Sequence, residues 1–62
     1  RGMQVVVNGD AIVVTSADDM QVNVYNMQGA EVASGMTNKT IIVNGKGVFV
    51  VKAGGKAVKI VK

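Results

Sequence analysis

The sequence predicts an all-β domain, a small seven-stranded antiparallel β-sandwich of the immunoglobulin-like kind. Three observations point there. Short apolar runs recur along the chain with turn residues between them, which is the spacing of a sandwich or barrel. The hydrophobic share is 48% and much of it is valine, whose β-branched side chain fits a pleated, half-buried surface better than a helix. Finally, two apolar runs flank Gly54-Gly55, a pair suited to a type I′ hairpin turn because that turn needs φ > 0 at both central positions.

The elements follow in order. A first strand is expected over about Met3–Val7, then a turn at Asn8-Gly9-Asp10 and a second strand over about Ala11–Thr15. Their register is open: an Asn8-Gly9 loop sets Val5 opposite Ile12, and a Gly9-Asp10 loop sets Val7 there. The polar Ser16-Ala17-Asp18-Asp19 breaks the chain before a third strand, Met20–Asn26. In that strand Met20, Val22 and Val24 share one face while Gln21, Asn23 and Tyr25 share the other. This alternation implies one buried and one wet face; its period of two excludes an amphipathic helix over Asp18–Met27. Gly29 supplies a tight turn into a fourth strand, about Ala30–Ser34, centred on Val32. Gly35-Met36-Thr37-Asn38 reads as a loop and Thr40–Val43 as a short fifth strand. Asn44-Gly45-Lys46-Gly47 turns into a sixth strand, Val48–Ala53, and the seventh covers Ala57–Lys62 or begins one residue earlier.

The Gly54-Gly55 loop fixes the last register. It sets Ala53 opposite Lys56, Val51 opposite Val58 and Phe49 opposite Ile60. Side chains alternate across a strand, so Phe49, Val51, Val58 and Ile60 form a core face. Val48, Val50, Lys52, Lys59 and Val61 share the other. Seven strands of this length bury their apolar faces best as two packed antiparallel sheets.

Sixty-two residues make one domain with a thin core, since a chain of this size buries only about 60% of its unfolded surface. No cysteine or histidine is present, so neither disulfides nor histidine-bound metals support the fold. No apolar run reaches the roughly 18 residues of a membrane-spanning helix. Charge is uneven. Residues 1–31 carry Arg1 against Asp10, Asp18, Asp19 and Glu31, net 1 − 4 = −3; residues 32–62 carry six lysines, net +6, for the total of +3. No aromatics alternate with those lysines as stacking platforms, which argues against nucleic acid. Lysine is also a common guard of edge strands.

The inventory argues against catalysis. No histidine offers a base near neutral pH and no cysteine offers a nucleophile. Asp18 and Asp19 are adjacent, so in extended chain they point apart and suit a solvated turn. The acidic residues do not fall in the alternating pattern of a calcium loop. Gly45-Lys46 and Gly55-Lys56 lack the rest of a phosphate loop. Asn38-Lys39-Thr40 matches a glycosylation sequon. Tyr25 is either a recognition aromatic on the wet face or a cover for its neighbouring strand. The chain is expected to be non-catalytic, with no cofactor and no small-molecule substrate.

Three stretches resemble one family. Val22-Asn-Val-Tyr-Asn-Met-Gln-Gly29-Ala-Glu-Val32 is similar to its "hydrophobic-x-hydrophobic-Tyr-Asp/Asn-x-x-Gly-x-x-Val" hairpin. Lys46-Gly47-Val-Phe-Val-Val-Lys52 is similar to its "Gly-Val-Tyr-hydrophobic-Val-Lys" strand, with Phe49 in place of the usual tyrosine and without the preceding proline. Lys56-Ala-Val-Lys59-Ile-Val-Lys62 is similar to its lysine-containing last strand. Together they resemble the C-terminal sorting domain of proteins exported by the type IX secretion system of Bacteroidetes-type bacteria. The resemblance implies that residues 1–62 are the C-terminal part of a longer secreted precursor. Such a domain passes through the periplasm, is recognised by an outer-membrane translocon, and is usually removed at the cell surface by a sortase-like protease. It places translocon recognition on Gly29, Gly47, Lys59, Ile60, Val61 and Lys62. Lys59 and Lys62 are read as edge charges projecting from an exposed strand or chain end. An alternative reading is an adhesin-like or carbohydrate-binding sandwich. The outward Val48, Val50 and Val61, with open sheet edges, also predict a homodimer or strand swap of the isolated domain.

Overall fold

A computed structural model describes residues 2–62. Among the described residues seven strands form and no helix: β1 Gln4–Asn8, β2 Ala11–Thr15, β3 Gln21–Asn26, β4 Glu31–Met36, β5 Thr40–Ile42, β6 Val48–Ala53 and β7 Lys56–Val61. They make two antiparallel sheets, one ordered β1-β2-β5 and the other β4-β3-β6-β7. This is the small antiparallel β-sandwich that the valine-rich runs predict.

Three hairpins set the registers, each by different turn chemistry. In β1–β2 the loop is Gly9-Asp10, pairing Asn8 with Ala11 and Val7 with Ile12; of the two registers open to the sequence, this is the second. Gly9 at φ 62° occupies the first loop position, where a type II′ turn calls for glycine. In β6–β7, Gly54 and Gly55 both have positive φ, 57° and 77°. The register is the expected one, with Phe49 opposite Ile60 and Val51 opposite Val58. Between β3 and β4, Asn26 organises the turn. Its Oδ1 accepts from the backbone N–H of Gln28 and of Ala30, each at 3.0 Å, and Gly29 follows at φ 87°.

Two expectations about β4 need correction. The strand does not end at Ser34 but continues through Gly35 and Met36. It also carries an irregularity: Val24 faces Ala33 but Tyr25 faces Glu31. Val32, the expected centre of the strand, is therefore the extra residue of a bulge and is 46% exposed. Gly35 explains the extension. A Cβ built there would lie 2.7 Å from Cγ1 of Ile41. The missing side chain lets β4 approach β5 across the gap between the sheets, so glycine here serves packing and not a loop.

The core lies between the sheets. Ile12 and Val14 from one sheet meet Val22, Val24 and Val51 from the other, all fully buried, with Ile41, Val43, Phe49, Ala53 and Ile60 completing the cluster. Met3, Val5, Met20, Ala33 and Val58 pack on its margin; Val58 is thus half-buried, shallower than its three partners on the hairpin's core face. The one buried polar residue among those described is Thr37. Its hydroxyl donates to the Asp18 carbonyl at 2.8 Å and accepts from the Met20 N–H at 2.9 Å, fastening the β4–β5 loop to the segment entering β3.

Candidate functional site

The candidate residues fall into two groups. Gly29 sits in the β3–β4 turn, remote in sequence and sheet position from the last strand. Gly47, Lys59, Ile60, Val61 and Lys62 converge on the hairpin that forms one edge of the four-stranded sheet. Gly47 has φ 127°, a backbone region open essentially to glycine. That conformation turns the loop into β6 so that Gly47 and Lys62 exchange both backbone hydrogen bonds, at 2.9 and 3.0 Å. The ladder thereby extends beyond β7 proper.

Antiparallel pairing alternates hydrogen-bonded and non-bonded pairs. With Gly47–Lys62 bonded, the bonded pairs run on through Phe49–Ile60, Val51–Val58 and Ala53–Lys56. Ala57, Lys59 and Val61 are the intervening residues. Their N–H and C=O groups point away from β6, along the free edge. Lys59 and Val61 are exposed, Val61 at 71%. Ile60 is 8% exposed and belongs to the core.

Lys62 is not the projecting tip that its position suggests. Its side chain is 4% exposed. The ammonium donates to the carbonyls of Val43 at 2.6 Å and Gly45 at 2.7 Å, lies 3.8 Å from the Asp10 carboxylate and stands 5.5 Å from the Phe49 ring centroid. The stem covers apolar surface while the head satisfies loop carbonyls, as long cationic side chains often do. This arrangement ties the end of the last strand to the β5–β6 loop, and more weakly to the β1–β2 turn. Sequence reasoning missed it because the carbonyls that bind Lys62 come from residues 17 and 19 positions upstream and have no signature of their own.

The outer face of the four-stranded sheet carries the polar surface. A shallow hollow there is lined by Gln21, Asn23, Tyr25, Lys52 and Lys56. The Asn23 amide donates to Glu31 at 3.1 Å, and the Lys52 ammonium stands 5.3 Å from the Tyr25 ring centroid. Tyr25 is half-buried and its ring is already faced by a cation, which fits the covering role better than a stacking platform. Asn38, the sequon residue, is similarly engaged. At φ 64° it accepts from the Ser16 N–H at 3.1 Å and donates to the Ser16 carbonyl at 2.9 Å, so its amide is a clasp between two loops.

No family model, curated protein or solved structure matches the chain.

Proposed function

We propose that this domain is a non-catalytic secretion address, read at its last strand by an outer-membrane translocon of the type IX kind and then removed by a sortase-like protease. The observation that carries this reading is the free edge of β7. Ala57, Lys59 and Val61 offer backbone donors and acceptors to a receptor strand, and strand addition uses such an edge. Gly47 and Lys62 hold that edge in place. The three sequence stretches that resemble the sorting-domain family include this edge and the loop before it. On this reading the domain travels through the periplasm, and its cargo ends at the cell surface.

The test fuses residues 1–62 behind a reporter with a periplasmic signal, in a host that has the type IX machinery. Deleting Lys59–Lys62 should retain the reporter in the periplasm. That deletion also removes Ile60 from the core and the Lys62 anchor, so a gentler variant is required. Lys59→Pro removes an N–H directed away from β6 and spares the β6–β7 ladder, a placement proline tolerates on edge strands. It should leave the fold intact and reduce surface delivery. Equal delivery by wild type and a folded Lys59→Pro would remove backbone pairing at this edge from the mechanism; no delivery of the intact fusion would count against the address itself.

A further inference from the structure

We infer that the opposite end of the sandwich carries a second docking edge: β1 pairs with β1 of a second copy of this chain, about a twofold axis through Val6. Strands β1, β2 and β5 contain no Asp, Glu, Lys or Arg, whereas the other sheet carries Glu31, Lys52, Lys56 and Lys59. Sheet edges are normally blunted by charge, bulges, shortness or a cover. Edge β7 has its lysines and edge β4 its bulge. Edge β5 is three residues long and faces β4 through the Gly35–Ile41 contact. Strand β1 has none of these devices. It is five residues long, pairs with β2 in unbroken register, and is exposed at Val6 (54%) and Val7 (38%).

The two-residue loop makes Asn8–Ala11 a hydrogen-bonded pair, so Val6–Val13 and Gln4–Thr15 are bonded as well. Val5 and Val7 consequently point their N–H and C=O groups outward. A twofold axis through Val6 sets Val5 opposite Val7 of the second copy, and Val7 opposite its Val5. Those two pairs exchange four backbone hydrogen bonds, and strand Gln4–Asn8 is matched end to end. The three-stranded sheets join into one of six strands. On its outer face Val6 meets its own counterpart, flanked on each side by Val13, Ala11 and Ile42, the last 56% exposed.

A second copy is the occupant the charges select. Pairing β7 with β7 brings lysine-bearing strands together, and like charges directly opposite oppose pairing. Pairing β1 with β1 sets no charged strand residue opposite another; the charges nearest it, Asp10, Lys46 and Lys62, border Val7 at the end of the strand, and the strand-borne lysines of both copies lie on the other sheets. An interface of this kind is isologous and closes at two, and it leaves the β7 edge free.

The deciding experiment is amide hydrogen exchange by NMR on the wild-type chain across micromolar to millimolar concentration, with sedimentation in parallel. The expected result is a monomer–dimer equilibrium in which the Val5 and Val7 amides become at least roughly tenfold more protected as the dimer forms. Val6→Lys sets two ammonium groups face to face across the axis and should weaken the dimer by about tenfold or more while leaving the melting temperature of the dilute monomer nearly unchanged. A monomer up to millimolar concentration overturns the inference. So does protection that appears at Ala57, Lys59 and Val61 instead, open-ended growth beyond two copies, or a folded Val6→Lys that dimerises like wild type.

Discussion

Two lysines three positions apart in β7 and just beyond it live in different physical worlds. The Lys59 side chain lies on an exposed outer face, and truncating it should change stability by no more than about 0.5 kcal/mol. Lys62 is buried to its head and donates to two loop carbonyls. Charge-assisted hydrogen bonds contribute roughly 1.5–3 kcal/mol each in favourable settings. Because water can replace part of that here, Lys62→Ala should cost about 2 kcal/mol. Urea titrations of the two variants check this difference, and equal midpoints would remove the anchor from the account. Substituting both lysines together is therefore no neutral probe of charge recognition. Phe49 fills the core beneath Lys62, and Phe49→Ala should cost about 3–5 kcal/mol, enough to unfold a domain of this size in a thermal melt. At Gly35 the opposite error is available. A methyl group would collide with Ile41, so Gly35→Ala should cost about 1–3 kcal/mol through overpacking, and Ile41→Val in the same chain should recover part of the loss.

At the scale of elements, the strands whose ends are set by turn chemistry were legible. Gly54-Gly55 dictated β6, β7 and their register because a two-residue hairpin loop sets Ala53 opposite Lys56 and every later pair with it. The β1–β2 register stayed open because Asn8, Gly9 and Asp10 are all turn formers, and the two alignments differ by two residues, which leaves Ile12 and Val14 on the same face in both. Strand β4 was misjudged for two reasons. The bulge at Val32 breaks the period of two, and Gly35 resembles a loop residue until its neighbour Ile41 is known. The anchoring of Lys62, the Thr37 clasp and the Asn38–Ser16 clasp were invisible for a common reason: each joins a side chain to backbone groups far away in sequence. Of the candidate residues, the edge character of Lys59 and Val61 could be read from the hairpin, whereas the burial of Lys62 could not. The loop conformation at Gly47 offers an element-level test. L-alanine at φ 127° is strained by roughly 1–3 kcal/mol, so Gly47→Ala should loosen the Gly47–Lys62 pairing and lower the melting temperature. A synthetic chain with D-alanine there, whose mirror-image preference suits positive φ, should recover most of the loss. Equal melting of both diastereomers would show that the backbone conformation at Gly47 does not hold the last strand.

For the whole molecule, the sandwich is closed on one side and open on the other. Gly35 and Ile41 bring β4 and β5 together, while β1 and β7 each end in unpaired backbone. Self-association was expected from Val48, Val50 and Val61, yet Val48 and Val50 are half-buried within their sheet and leave Val61 as the chief apolar point there. The uncharged sheet is the better place for it. The thin core sets a further expectation: with ten hydrophobic residues in the buried cluster, stability near room temperature is small enough that pairing of two copies should raise the melting temperature measurably with concentration. Scanning calorimetry over a hundredfold dilution series checks this, and a midpoint independent of concentration would show that the chains melt as monomers.

The buried head of Lys62 also has a chemical signature. A reagent that acylates primary amines needs room to approach, and this amine, 4% exposed along its side chain and held against the carbonyls of Val43 and Gly45, offers little. Mass-spectrometric mapping of a briefly labelled sample should find Lys52, Lys56 and Lys59 modified well before Lys62. That protection should vanish in the Gly47→Ala chain. The last side chain thus becomes a built-in reporter: its reactivity clocks how often the end of the final strand comes loose.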